Sequence, residues 1–254
     1  MIILQGDCLE FLRRTSPIKC LFADPPDNLG MNYNNLLVRT LDRRRPQDYY
    51  DWLRLIILEA LPKCQVFWLS YYPDHDLEVS YIVRDILKYR HPSFSPNKFI
   101  WRFTFGQYND FDCGYGYRPI LRLKRSDATL YPDAIRETSR RQELGDMRAV
   151  GERVPDNVWM IPRVVGNSPE RAEWMPTQFP IKLMERIISF SVSSDEWYVD
   201  LFGGSGSSLH AGNNLKRTKI GVVEIDDFSC EKISERTKAP IKIIEDGFEF
   251  PKDY

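Results

Sequence analysis

The stretch Asp200-Leu201-Phe202-Gly203-Gly204-Ser205-Gly206-Ser207-Ser208 decides the fold by what stands on either side of it. Trp197 to Leu201 reads as a short buried strand, and beyond the glycines a helical segment leads to a second apolar strand, Lys219 to Ile225. Strand, glycine corner, helix and strand are the grammar of a parallel sheet with crossover connections. Such a corner lets a ligand approach backbone N–H groups. It is not a phosphate loop, because the lysine and spacing of the Walker pattern are missing, and it lacks the third glycine of the dinucleotide pattern. With Ser207 where the last glycine should stand, it is not a nucleophile elbow either. Glu224 ends the second strand, where an acidic side chain accepts hydrogen bonds from ribose hydroxyls. The ordinary alternative is a structural turn with a solvated glutamate.

Working outward, Ile2-Ile3-Leu4 is a short strand, Cys8 to Arg14 is helical by spacing, and Ile18 to Ala23 is a second strand. That strand stops at Asp24-Pro25-Pro26-Asp27, since proline cannot donate to a sheet ladder. Doubly wound sheets place their active sites at the carboxyl ends of strands, although an Asp-Pro-Pro turn is also a common loop device. Tyr49 to Leu61 is helical and ended by Pro62, and Gln65 to Leu69 is a strand. Phe99 to Phe105 and Arg118 to Leu123 read as strands around Gly114-Tyr115-Gly116-Tyr117. Lys124 to about Arg171 is polar and arginine-rich, and reads as an insertion. Met175-Pro176-Thr177-Gln178-Phe179-Pro180 then opens an amphipathic helix, Pro180 to Phe190, with Ile181, Met184, Ile187 and Ile188 on one face. Thr177 is suited to cap it. Ile241 to Asp246 offers one more strand.

The 254 residues, 43% of them apolar, suffice for one α/β domain with an insertion. The five cysteines are scattered without a C-x-x-C pair, and three histidines are few, so neither a disulfide framework nor a metal site is expected. The N-terminus carries no basic or long apolar segment, and no run of eighteen apolar residues occurs, which points to a cytoplasmic protein. A formal charge of −1 excludes a uniformly basic nucleic-acid coat and leaves room for a local basic face.

Together these segments resemble the amino-methyltransferases of DNA, which carry a D/N/S-P-P-aromatic motif, an F-x-G-x-G motif and a P-T-Q-K-P segment. With the D-P-P motif first and the glycines last, the order is similar to the permuted beta group, from Met1 to about Asp226. The resemblance implies a Rossmann-like S-adenosylmethionine-dependent methyltransferase fold, a mostly parallel twisted sheet with circularly permuted motifs. It divides the chain into a catalytic half (1–123), a target-recognition insertion (124–171) and a cofactor-binding half (172–254).

It implies methyl transfer from S-adenosyl-L-methionine to the N6 amino group of adenine in double-stranded DNA after base flipping. Cytosine N4, an RNA-directed relative and a catalytically silent nucleic-acid-binding subunit are the alternatives. Asp24, Pro25, Pro26 and Asp27 become the catalytic residues. Asp200, Phe202, Gly203, Gly204, Ser205 and Gly206 surround the methionine part of the cofactor, with Thr177 and Gln178 at its carboxylate. Glu224 and Ile225 take the ribose, Asp7 and Cys8 the adenine edge, and Phe22 and Asp24 the pocket wall. DNA contacts are expected from Tyr33, Arg43, Arg44, Arg45, Arg118, Lys124, Arg125, Arg140 and Arg141. Two positions depart from the family: Asp27 where an aromatic residue stacks the flipped base, and Phe179 where lysine is usual. Tyr33, Trp68 and Tyr71 are the rings expected to replace the missing one. A homodimer, and association with nucleoid or viral DNA in a restriction-modification setting, follow from the same resemblance.

Overall fold

The computed structural model describes residues 1–31, 42–104, 110–146, 148, 150–245, 248 and 250. Among them, eleven strands are seen: β1 (Ile2–Gln5), β2 (Ile18–Ala23), β3 (Cys64–Ser70), β4 (Phe94–Arg102), β5 (Tyr117–Arg125), β6 (Glu137–Thr138), β7 (Glu152–Arg153), β8 (Val158–Met160), β9 (Tyr198–Asp200), β10 (Ile220–Glu224) and β11 (Ile241–Ile243). Six helices of two turns or more accompany them: α1 (Cys8–Arg14), α2 (Pro46–Ala60), α3 (Asp76–Tyr89), α4 (Ile181–Ser191), α5 (Ser207–Asn214) and α6 (Asp227–Thr237). Nine strands make one sheet in the order β11-β1-β10-β9-β2-β3-β5-β4-β8, and β6 pairs β7 in a separate ribbon. From β11 to β3 every pairing is parallel; β5 runs antiparallel to both β3 and β4.

Alternation along the strands sends their side chains into two apolar layers. Leu4, Leu21, Phe67, Val199 and Val223 face α1, α2 and α3, while Ile3, Cys20, Val66, Tyr198 and Val222 face α4, α5 and α6. Strand β2, covered on both sides, is buried at all six residues. Lys19 lies within it at 8% exposure and reaches Glu196 (3.2 Å) and Gln65 (3.1 Å). Parallel central strands read as continuous apolar runs for this reason.

Carboxylates open three of the helices, each supplying an acceptor for N–H groups that lack intrahelical partners. Asp7 accepts from Leu9 N (2.9 Å) and Glu10 N (3.1 Å) at the start of α1, and Asp226 accepts from Ser229 N (3.0 Å) at the start of α6. At α4 the expectation is corrected. Thr177 stands too early, because Pro180 is the capping position, and Glu170 Oε2 accepts from Ile181 N (2.8 Å) across the preceding loop.

The boundary expected at Lys124 falls inside β5, which runs on to Arg125. The span 124–171 is knitted into the main body: β8 extends the large sheet beside β4, and Pro132–Ile135 packs on α4. Asp246, at the end of the expected last strand, lies outside the described residues.

The turn from β9 into α5 is held by Asp200, whose Oδ1 accepts from Phe202 N (3.0 Å) and Oδ2 from Ser208 Oγ (2.6 Å). Gly206 is left-handed there (φ +77°), and a Cβ on it would meet Ile233 Cγ2 at 2.8 Å, so α5 and α6 approach closely only because this residue is glycine. Burial pushes the Asp200 carboxyl from the usual 3.8 up to about 8, against the bonds from Ser208 and Phe202 and with added repulsion from Asp24 and Glu224. An acid whose folded pKa is raised contributes stability that is full below its unfolded pKa and is lost as pH climbs through the folded value. The melting temperature of the cofactor-free protein, relative to that of Asp200→Asn, is therefore expected to fall as pH rises from about 4 to about 8. Parallel pH courses for the two proteins, followed by circular dichroism, would show that Asp200 is already ionised in the fold.

Candidate active site

Strand order reverses between β2 and β9. From β2 the chain crosses by α2 to β3 on one side, and from β9 by α5 to β10 on the other, which opens a crevice at their carboxyl ends. The two strands pair directly, Leu21 beside Val199 and Phe22 beside Asp200, and Leu201 N donates to Phe22 O (2.8 Å). Segments almost two hundred residues apart in sequence thereby end at one place. A cavity of about 380 Å³ lies there, lined among others by Asp24, Pro25, Pro26 and Asp27 from one corner and by Phe202, Gly204 and Glu224 from the other.

The Asp24 corner is built around one arginine. Arg118, near the start of β5, sends Nη1 to Asp27 Oδ2 (2.7 Å), Nη2 to Asp27 Oδ1 (2.7 Å) and to Asp24 Oδ1 (2.7 Å), and Nε to Ser70 Oγ (2.5 Å). Its side chain is 13% exposed. Although burial disfavours the charge, Asp24 and Asp27 hold the guanidinium protonated, well above the usual arginine range. Burial raises the Asp24 carboxyl, and the Arg118 cation pulls it back down. The loop carrying Asp27 is pinned from behind by His75, whose Nε2 is 2.7 Å from Asp27 O and whose Nδ1 is 2.9 Å from Tyr50 Oη. Two prolines fix φ on the short path between the aspartates.

In the other corner the Glu224 carboxylate accepts from Gly204 N (2.6 Å) and Asp226 N (3.0 Å). A carboxylate has about four lone-pair sites, so acceptor capacity remains. Burial pushes its pKa up against those two backbone bonds. Apolar walls come from Phe202, Val223, Ile225, Met175 and Trp174. Trp52 of α2 meets the edge of Phe202 at 6.0 Å between ring centres and carries the Arg44 guanidinium 3.9 Å above its own.

The sequence-expected residues divide into three groups. Asp7, Cys8, Asp24, Pro25, Pro26, Asp27, Thr177, Gln178, Phe202, Gly204, Glu224 and Ile225 line the one cavity. Gln178 also ties the loop before α4, accepting from Ala172 N (2.7 Å) and donating to Glu170 O (2.7 Å). Asp200, Gly203, Ser205 and Gly206 shape the turn behind the wall; Asp200 and Ser205 are each 5% exposed. Phe22, 1% exposed, supports that wall from the core by an edge contact to Phe179 (5.6 Å).

Most of the described side chains expected at DNA are already engaged within the protein. Arg118 lies in the Asp24 corner instead of on the surface, and Arg44 turns inward over Trp52. Lys124 donates to the Arg125 and Ala128 carbonyls, while Arg125 pairs with Asp127, Arg45 with Asp48 and Arg141 with Asp146. Arg43 is exposed and reaches the Gly30 carbonyl (3.2 Å). Tyr33 and the Arg140 side chain lie outside the described residues. Trp68 and Tyr71 are fully buried, bonded to Ser191 and Asp76, and cannot stack a base. The rings that do reach the cavity, Tyr72, Trp101, Phe103, Tyr115 and Tyr117, were missed, as were Ser70 and Trp52. One signal was available for the Arg118 site: a carboxylate standing where a ring is usual demands a cation when buried.

With this geometry in view, comparison with known proteins is specific. The N6/N4 DNA methylase family matches residues 18–235. The chain is 28% identical to the DNA adenine methyltransferase YhdJ of Escherichia coli (strain K12), over 87% of its length and 77% of the relative. It is 24% identical to the type II methyltransferase M2.MboI of Moraxella bovis, over 89% and 84%. Solved structures share the fold. The PvuII DNA methyltransferase (cytosine-N4-specific) superposes with a TM-score of 0.66 at 15% identity, covering 94% of each chain. The complex of M1.HpyAVI with S-adenosylmethionine gives 0.63 at 16%, covering 92% of this chain and 98% of that one. Matched from β2 into α6, with the D-P-P corner and the glycine corner meeting at one crevice, the chain belongs to the DNA methylase family.

Proposed function

We propose that this DNA methylase transfers a methyl group from S-adenosylmethionine to adenine N6, with Asp24 as the acceptor that activates the amino group. The observation that carries the reading is the common cavity shared by the ends of β2 and β9, which sets the Asp24 carboxylate beside the glycine corner. An exocyclic amino nitrogen is a poor nucleophile because its lone pair is delocalised into the ring. Hydrogen bonds from it to the Asp24 carboxylate and the Pro25 carbonyl draw the nitrogen towards tetrahedral geometry and aim the lone pair. The same carboxylate steadies the positive charge that grows on nitrogen. Adenine is favoured over cytosine by the leading aspartate of the motif and by similarity to the E. coli DNA adenine methyltransferase. The flipped base needs a planar wall, for which Tyr72, Trp101, Tyr115 and Tyr117 are available at the cavity.

The residues of the other corner fit the cofactor. A cavity of about 380 Å³ is within the range that encloses small ligands, about 300–1,000 Å³. Gly204 has φ +51°, and Glu224 keeps free acceptor capacity for vicinal hydroxyls beside the apolar Phe202 and Ile225. The cofactor, when bound, supplies a sulfonium-activated methyl group. Phe202, Gly204, Thr177, Gln178, Asp7, Cys8, Glu224 and Ile225 are the residues proposed to hold it.

Asp24→Ala is expected to abolish transfer of label from tritiated cofactor to DNA, while cofactor affinity stays within about tenfold, or 1.4 kcal/mol. Nucleoside mass analysis of the product identifies N6-methyladenine or N4-methylcytosine, and turnover retained by the variant would remove Asp24 from its role. Glu224→Gln, which keeps an acceptor and loses the charge, should weaken cofactor binding by about 1–2 kcal/mol in titration calorimetry. Unchanged affinity would place the ribose elsewhere.

A further inference from the structure

The two positions at which this chain departs from its family touch the same side chain. Asp27, where relatives carry a stacking ring, takes both ends of the Arg118 fork, and Phe179, where they carry lysine, lies with its ring centre 5.8 Å from the guanidinium carbon. Arginine has five N–H donors; four are committed here, to Ser70, Asp24 and twice to Asp27. The planar fork is thus oriented on two edges, by Asp27 at its end and by Ser70 and Asp24 along its side. We propose that Arg118 is a positioning residue for methyl transfer, a clasp held by Asp27 and Ser70 that fixes the Asp24 carboxylate in the cavity wall. In this chain position 27 serves the acceptor instead of the base, and the stacking surface is left to rings on other elements. The clasp rests on Asp24 being the acceptor proposed above.

The physical case is one of compensation. Asp27 is 13% exposed and Asp24 24%, so two carboxylates in one half-closed corner repel each other and lose hydration. A single guanidinium bridging both offsets that repulsion, and its rigid fork does so with a defined direction that lysine cannot reproduce. The charged and polar groups facing Asp24 are Arg118 of β5, Ser70 of β3, Asp27 of its own loop, Asp200 of β9 and Tyr49 of α2. Arg118 is the one cation among these five. Removing it leaves burial and the aspartates to favour a protonated Asp24, which cannot accept from an amino group in the same way.

The test compares single-turnover methyl transfer to unmodified DNA amplified in vitro, across pH, for the wild type, Arg118→Met, Arg118→Lys and Asp27→Tyr. Asp24→Ala is the control, and melting curves report folding. Arg118→Met is expected to lower the transfer rate about a hundredfold, the scale of a misplaced reacting group, and to move the acid limb of the pH profile upward. In the cofactor-free protein, the carboxyl resonance of Asp24, labelled with ¹³C-aspartate, is expected to titrate at higher pH in that variant. Arg118→Lys, which keeps the cation without the fork, should transfer slowly with its acid limb unmoved, and carries the test if the methionine variant does not fold. Asp27→Tyr supplies the ring of the relatives and strips the clasp, so transfer should fall. An Arg118→Met rate and carboxyl titration like the wild type's, or a gain of activity in Asp27→Tyr, would overturn the clasp while an inactive Asp24→Ala left the methylation chemistry standing. An active Asp24→Ala would instead remove that chemistry itself.

Discussion

The direct parallel pairing of β2 with β9 is the contact on which the rest depends. Each strand alone ends in an ordinary loop: two prolines after one, three glycines after the other. Side by side at the point where strand order reverses, they form two walls of one crevice, because crossovers leading away in opposite directions cannot cover the gap between them. The pairing is enforced by burial on both faces of the sheet. A slip of one residue would send Leu21 and Val199 into the layer of Phe22 and Tyr198, exchanging every side chain between the two cores. Apolar packing of this kind tolerates no such exchange, and the position of Asp24 relative to Gly204 follows from it.

Charge in the crevice is unbalanced in one direction. Asp7, Asp24, Asp27, Glu224 and Asp226 line it with Asp200 behind the wall, against Arg44, Arg163 and an Arg118 shared between Asp24 and Asp27. Burial pushes the carboxyls of Asp200 and Glu224 up, which is the electrostatic cost of crowding acids in this corner. A cationic ligand relieves that crowding, whereas a phosphate-bearing one would deepen it. The absence of a Walker lysine and the presence of carboxyls at both strand ends therefore favour the same class of cofactor, one carrying positive charge at its reactive centre.

The sheet was legible because its central strands are continuous apolar runs bounded by proline or glycine, and the cavity-lining Asp24, Glu224 and Phe202 were legible because each follows such a strand. Other site residues were not. Trp52, in a segment read only as helical, gave no sign that one edge of it turns into the site, and Tyr115 and Tyr117 stood in a segment read as a turn. Trp68 and Tyr71 were named as rings able to stack a base, but Trp68 lies in β3, a central strand buried on both faces, and Tyr71 just beyond it is buried with its hydroxyl on Asp76. Thr177 failed as a cap because the capping group came from Glu170, seven residues earlier in sequence. Propensity reads neighbours along the chain, and this bond crosses a loop.

The arginines mark the limit most clearly. Counted along the sequence, the span from Arg118 to Arg171 is a basic region; placed in space, Arg125, Arg136 and Arg141 each meet an aspartate within five residues. Such exposed local pairs contribute little to stability, yet they lower the positive potential that a phosphate backbone would feel. A formal charge of −1 over the whole chain excludes a uniformly cationic surface, so any attraction to the phosphate backbone is local. On the roles proposed for Asp24, Arg118 and the cavity rings, selectivity is exerted at the amino group itself, so the chemistry of recognition and the chemistry of transfer fall on the same few atoms.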